Sequence, residues 1–135
     1  MVKSANLGKE IVVSMVNKIG ILADMARLIA EHGINIEAVA GAVAGNEAQI
    51  MVVTDDNLRA MDALKKAGYG SAKESEVVIL ILENKAGALK KITENLAAEG
   101  IDIKHIYGSV CSGGCPAKMI ISTSSNEKAL LSFKK

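Results

Sequence analysis

NKIGIL, residues 17–22, returns 67 positions later as NKAGAL, residues 84–89. Each copy follows an apolar run and precedes a helix-like stretch that ends at a Gly-Ile-Asx-Ile corner, residues 33–36 and 100–103. From residue 17 to residue 36, eight of the twenty positions are identical in the second copy. The chain therefore contains an internal repeat, and its two strand-to-helix turns organise the rest.

The hydrophobic pattern around each turn predicts the order strand, helix, strand, strand, helix. In the first copy we expect strands at 10–16, 34–44 and 49–54, helices from residues 22 and 57, and a short polar strand between 69 and 74. In the second copy we expect strands at 77–82, 101–110 and 117–123, and helices from residues 89 and 126. Only Lys134 and Lys135 follow the last helix, which leaves no residues for a closing strand. The predicted class is α+β, with two tandem ferredoxin-like βαββαβ units and antiparallel sheets, the second unit lacking its last strand.

Two of the predicted strands are apolar on both faces. Val77–Leu82 has no polar residue, and Gln49–Val53 has only one. A half-solvated antiparallel strand alternates with polar residues instead. We therefore expect the sheet face away from the helices to be covered, by another copy of the chain in a homodimer.

Composition excludes several classes of protein. The 135 residues carry 16 basic and 15 acidic side chains, and the paired lysines form no basic track of the kind that binds nucleic acid. The sequence shows neither a signal peptide nor an apolar run of the roughly 20 residues that a membrane helix needs. Two cysteines do not make a disulfide framework, so we expect a cytoplasmic location and no cofactor.

The repeated turn has the chemistry of a small-ligand site. A helix amino terminus favours a carboxylate or phosphate, and Gly20 and Gly87 allow close approach of the backbone. Asn17 and Asn84 can donate and accept hydrogen bonds, and a carboxylate at Asp102 can pair with an ammonium group. This combination suits a free amino acid. The alternative is that both asparagines only satisfy backbone groups of the turn.

The order strand, Asn-Lys-x-Gly-x-Leu, amphipathic helix, Gly-Ile-Asn-Ile resembles the ACT domain, a regulatory module that binds amino acids. Two such units in tandem are similar to the stand-alone, glycine-cleavage-repressor type, and the resemblance runs from about Lys9 to the end. It implies domains at residues 9–75 and 76–135 and pairing of edge strands into a larger sheet. It places the ligand at the seam, between the turn of one unit and the second strand of its neighbour. The implied ligand-binding residues are Asn17, Ile19, Gly20, Ile21, Leu22, Asn35, Ile36, Asn84, Ala86, Gly87, Ala88, Leu89, Asp102 and Ile103.

This sequence departs from the ACT pattern at some positions. Asp102 replaces the asparagine that Asn35 matches, so the second site is expected to differ in ligand or occupancy. Ile19 and Ala86 stand where the family often has proline, which leaves an additional N–H in each turn.

Other residues support weaker hypotheses. Cys111 and Cys115, with three residues between them in a predicted hairpin loop, are consistent with an inert loop, reversible oxidation or metal chelation with His105. Gly41 and Gly108 lie at matching positions, where glycine allows either close backbone approach at a seam or a bulge. His32 at a helix end is expected to be structural. An enzyme is the least supported class, and the alternative to a ligand sensor is a module that regulates a metabolic enzyme or transcription by protein contact.

Overall fold

The computed structural model describes all residues from Met1 to Lys135 as six strands and four helices. The strands are β1 (Val2–Val16), β2 (Ile36–Ala44), β3 (Glu47–Thr54), β4 (Lys73–Leu82), β5 (Ile103–Ser109) and β6 (Ala117–Thr123). The helices are α1 (Ile21–Glu31), α2 (Asn57–Lys66), α3 (Ala88–Ala98) and α4 (Asn126–Phe133). None of them combines the length and apolarity needed to cross a bilayer.

Contacts within the chain separate two compact units. The first unit is residues 9–75, and the second combines residues 1–8 with residues 76–135. Strands β1 and β4 therefore each contribute residues to both units. This matters for the second unit, whose sequence repeat lacks a closing strand.

The first unit is a ferredoxin-like βαββαβ unit with strand order β2-β3-β1-β4. Strand β3 pairs antiparallel with both β1 and β2, and Gly45 and Asn46 form the β2–β3 turn as predicted. The helices pack on one face of this sheet. The core they share contains, from the strands, Ile11, Val13, Ile50 and Val52, and, from the helices, Ile21, Met25, Ile29, Ala60 and Leu64.

The second unit repeats this arrangement with strand order β1-β4-β6-β5. Residues 2–8 of β1 occupy the position of the closing strand that the second repeat lacks. Ala5 is 5% exposed and belongs to the core of this unit, and the N–H of Glu83 donates to the carbonyl oxygen of Met1 at 2.9 Å. The chain thus completes its second sheet with residues that precede the first repeat.

The predicted covering of the second sheet face is found within a single chain. Val12 and Val53 point away from the helices of the first unit, and they are 7% and 3% exposed. In the second unit Val77 and Ile120 are 0% and 1% exposed. Burial of these side chains therefore does not require another copy of the chain, which removes this argument for a homodimer.

Candidate functional site

The two repeated turns share an unusual helix start. Gly20 has φ +92° and Gly87 has φ +85°, and these left-handed conformations place glycine at the N-caps of α1 and α3. Neither cap provides a side-chain acceptor, whereas Asp56 and Ser125 cap α2 and α4 in this way. The first N–H groups of α1 and α3 are therefore available to an external acceptor such as a carboxylate.

The apolar residues of the turns have different exposures. Ile21 is 4% exposed and anchors α1 in the core. Ile19 is fully exposed, and Leu22 and Leu89 are about half exposed, at 47% and 44%. Ala86 is exposed and Ala88 is half-buried. Each turn consequently presents an apolar surface beside the amino terminus of its helix.

The two turn asparagines have different roles. The backbone N–H of Asn17 donates to the carbonyl oxygen of Asn46 at 2.7 Å, which ties the first turn to the β2–β3 hairpin. The side-chain amide of Asn84 instead donates to the carbonyl oxygen of Cys111 at 3.3 Å. Both side chains are exposed. Asn84 therefore couples the second turn to the cysteine-bearing loop.

The Gly-Ile-Asx-Ile corners lie at the other end of the sheets. Asn35 makes its local hydrogen bonds through its backbone. Its N–H donates to Asp55 Oδ1 at 3.0 Å, and its carbonyl oxygen accepts from the N–H of Asp55 at 3.1 Å. Asp102 makes the same two bonds with Ser124, both at 2.9 Å. The side chains of Asn35 and Asp102 are exposed, while Ile36 and Ile103 pack against the cores.

Strand register shows that the repeated turn and the Gly-Ile-Asx-Ile corner of the same unit lie far apart. Val16, which ends at the first turn, pairs with Glu47, and Ile36 pairs with Thr54. These two positions of β3 are seven steps apart along the strand, which is roughly 24 Å. Asn17 and Asn35 are thus separated within the first unit, and the matching elements of the second unit have the same order. A ligand that contacts both groups needs two units.

A cavity of about 240 Å³ lies beside the second turn. Asn84, Ala88 and Leu89 line it on the side of the turn, and Gly108 and Met119 line it on the side of the β5–β6 hairpin. Lys85 pairs with Glu83 at 3.0 Å, and the hydrogen bond from Lys85 keeps the pKa of the Glu83 carboxyl below its usual value. The turn therefore combines a cavity, an uncapped helix and a paired cation.

The cysteines are joined to each other. Cys111 and Cys115 form a disulfide with their Cα atoms 5.6 Å apart, a usual separation for this bond. His105 stacks on Tyr107, with ring centroids 6.2 Å apart. Nowhere do three or more His, Cys, Asp or Glu side chains form a group that could hold a metal ion. In the first unit His32 Nδ1 lies 2.8 Å from the carbonyl oxygen of Leu28 at the end of α1.

Tyr69 has a defined role that the sequence pattern did not indicate. It follows α2, is 6% exposed, and donates its hydroxyl hydrogen to Asp24 Oδ2 at 2.5 Å. Burial, together with the Asp24 carboxylate, raises the pKa of Tyr69 to about 12. The hydrogen bonds from Tyr69 and then from Arg27 lower the pKa of Asp24. The phenol therefore closes one side of the first unit's core.

Sequence comparison identifies the first unit. Residues 9–67 match the ACT domain family. Residues 9–67 are an ACT domain. No curated protein matches the chain in sequence.

Solved structures extend this result to the whole chain. A protein from Bacteroides thetaiotaomicron superposes with a TM-score of 0.87 and 26% identity, over 96% of this chain and 88% of that one. The regulatory subunit of aspartate kinase from Thermus thermophilus superposes with a TM-score of 0.69 and 21% identity, covering 98% and 96% of the two chains. The corresponding subunit from Thermus flavus gives 0.63 and 20%, with coverage of 98% and 96%. The chain thus has the tandem ACT fold.

Proposed function

We propose that this tandem ACT protein is a non-catalytic regulator that binds an amino acid at its strand-to-helix turns. The observation that carries the proposal is the pair of uncapped helix starts in an ACT fold, one of them beside a cavity. The carboxylate of the ligand accepts hydrogen bonds from the first N–H groups of the helix. The exposed Asn17 or Asn84 side chain binds a second polar group of the ligand.

The second turn is the better developed of the two sites. The 240 Å³ cavity accommodates a side chain next to Ala88, Leu89 and Met119, all of which line it. Apolar contact there favours an amino acid with an aliphatic side chain. Asp102 is too far along the same unit to reach this ligand, so a group from another unit must complete the ammonium site.

Association with a second copy supplies such a group. Strand β2 lies at the outer position of the first unit's sheet, and Val39 and Val43 on it are 46% and 53% exposed. An outer strand with exposed β-branched residues is suited to pairing with another strand. We include in the proposal a homodimer formed along β2, which brings the second strand of one copy toward a turn of the other.

Protein contact without a ligand is the second candidate function. The exposed Ile19, Leu22 and Leu89 give each turn an apolar surface that suits a partner protein. The fold is shared with regulatory subunits of aspartate kinase, so the candidate partner is a metabolic enzyme. This candidate predicts a stable complex whose affinity does not change when amino acids are added.

Isothermal titration calorimetry with each of the twenty amino acids tests the first candidate. We expect saturable heat with at least one of them, and a loss of about tenfold in affinity in Asn84→Ala, because a hydrogen bond to a charged ligand is removed. Asn46→Ala is the matched control, since Asn46 contacts the first turn only through its backbone carbonyl. Absence of heat with all twenty amino acids contradicts the proposal and favours the protein-contact function.

A further inference from the structure

A second and larger cavity lies in the second unit, with a volume of about 720 Å³. It is bounded by residues 1–6 of the amino-terminal segment, by the first half of α3 and by the end of α4. Ala5, Ile92 and Phe133 supply apolar walls. Residues 85–88 of the second turn also line it, and it shares Lys85 and Ala88 with the smaller cavity. Asn84 lines only the smaller one, and Ala5, Ile92 and Phe133 line only the larger one. Its size is typical of small-molecule sites.

The internal repeat shows which part of the first unit corresponds to this cavity. Helices α1 and α3 are equivalent because each follows the repeated turn. Helices α2 and α4 are equivalent because both begin with an asparagine that bonds back to a strand: Asn57 Nδ2 donates to Lys9 O and Asn126 Nδ2 to Glu76 O, both at 3.0 Å. By this alignment Asp24 corresponds to Lys91, and Leu64 to Phe133.

Tyr69 occupies the corresponding space in the first unit. Its N–H donates to the carbonyl oxygen of Leu64 at 3.0 Å, and its hydroxyl group reaches Asp24 on α1. The segment from Tyr69 to Ala72 then leads into β4, the closing strand. In the second unit the closing strand is residues 2–8, which come before the other elements of that unit in the chain. The space that Tyr69 fills in the first unit corresponds to the cavity in the second.

The charge at the bottom of this space is reversed between the two units. Where the first unit has the Asp24 carboxylate, the second has the Lys91 ammonium group. The cavity is lined by Lys3, Lys85, Lys91, Lys134 and Lys135, and no acidic residue lines it. Glu83 and Glu99, outside the lining, pair with Lys85 and Lys135 at 3.0 and 3.4 Å. Lys3, Lys91 and Lys134 are left as cations whose charge an anion can neutralise.

From this comparison we infer that the cavity is a binding site for a small aromatic carboxylate. The ring of the ligand takes the place that the Tyr69 ring has in the first unit, against Ala5, Ile92 and Phe133. The carboxylate takes the place of the Tyr69 hydroxyl group, and because its partner is Lys91 instead of Asp24 it must be an anion. This site adjoins the amino-acid site at residues 85–88 and differs from it in using Lys91 and the walls formed by Ala5, Ile92 and Phe133.

Phenylacetate and its neutral analogue phenylacetamide test the site in the full-length protein. In a titration followed by ¹H–¹⁵N NMR, we expect saturable shifts at the backbone amides of Ala5, Ile92 and Phe133 with phenylacetate. Phenylacetamide has the same shape without the charge and should bind about tenfold more weakly or worse. No saturation by phenylacetate up to about 10 mM, or equal binding of the two compounds, overturns the inference.

Two neighbouring lysines of α3 provide a matched pair of variants. Both Lys90 and Lys91 are exposed, but only Lys91 lines the cavity. Lys91→Ala should weaken phenylacetate binding by about tenfold, and Lys90→Ala should leave it within about twofold of wild type. Asn95→Phe, a change at an exposed position of the lining, should block the cavity and abolish binding. If Lys90→Ala and Lys91→Ala weaken binding equally, the charge at the site is not specific and the inference fails.

Different variants test the two proposed sites. Asn84→Ala should weaken amino-acid binding by about tenfold and leave phenylacetate binding unchanged, and Lys91→Ala should do the opposite. A second copy of the chain is the competing occupant of the cavity. If Asn95→Phe dissociates a dimer in sedimentation velocity while phenylacetate binds nowhere, the cavity is a protein interface and the inference is overturned.

Discussion

Alanine at Gly108 would be tightly constrained by the neighbouring strand. A Cβ built there falls inside van der Waals contact of the Lys118 carbonyl oxygen and the Met119 sulfur, and lies 3.1 Å from Met119 Cα. The carbonyl oxygen belongs to β6, which pairs with both β4 and β5 and so resists displacement. At the matching Gly41 a Cβ would lie 3.7 Å from Ile50 and 3.8 Å from the Gln49 carbonyl oxygen, which is ordinary contact.

The pair of variants allows the cost of the clash to be isolated. Overpacking against a main chain costs about 1–3 kcal/mol of unfolding free energy. Replacing glycine by alanine also restricts the unfolded chain, which stabilises by about 0.4–1 kcal/mol where the native conformation accepts alanine. The second effect is common to both variants and cancels on subtraction. We therefore expect Gly108→Ala to be less stable than Gly41→Ala by about 1–3 kcal/mol.

Urea unfolding followed by circular dichroism measures this difference, and hydrogen exchange at Ile121 in β6 reports the second unit alone. The competing interpretation is that both glycines admit another backbone at a seam between copies. In that case both variants should keep the unfolding free energy of the monomer and weaken self-association. Equal stability of the two variants would refute the reasoning from the β5–β6 contact.

Two further predictions concern Tyr69 and the amino-terminal strand. The pKa of Tyr69 is raised from 10.0 to about 12, so its contribution to stability is complete below pH 10 and is lost as the pH rises toward 12. The unfolding free energy of Tyr69→Phe should depend less on pH in this range than that of wild type. The pKa of Asp24 should rise in an NMR titration of the variant. An unchanged Asp24 pKa would contradict the hydrogen bond. Ala5→Asp places a charge in the core of the second unit and should cost at least about 3 kcal/mol in urea unfolding. Asn6→Asp, at the exposed neighbouring position, should change the unfolding free energy by less than about 0.5 kcal/mol. Equal effects at the two positions would mean that residues 2–8 do not form the closing strand of the second unit.

Local signals predicted most of the elements. Helix α4 begins at Asn126 and strand β6 spans residues 117–123, as predicted, although the N-cap of α4 is Ser125. The first half of β1 was not predicted, because VKSANLGK has few β-branched residues and only some of its positions face a core. Pairing with β4 makes this segment a strand. Tyr69 was predicted to lie in a short strand. Instead its ring enters the core from a loop, and β4 begins only at Lys73.

The sequence was informative about the turns and less so about what lies around them. The repeat located both turns between a strand and a helix, but the left-handed conformations of Gly20 and Gly87 were not predicted. The bond from Asn84 to Cys111 and the larger cavity depend on segments far apart in the chain, and no local pattern encodes them. Alignment of the repeats shows that Lys91 replaces Asp24. The proposed role of Lys91 depends on the hydrogen bond between Tyr69 and Asp24, which only the structure shows.

The closing strand of the second unit implies an order of folding during synthesis. Residues 9–75 form the first compact unit and include the start of its closing strand β4, so that unit can begin to fold before the rest of β4 is made. Residues 2–8 pair with the part of β4 that belongs to the second unit, from residue 76 onward, and contacts between such distant residues form slowly. Until β4 is made, this segment remains an extended strand end with unpaired backbone groups. Changes in residues 2–8 should therefore delay folding of the second unit without slowing the first.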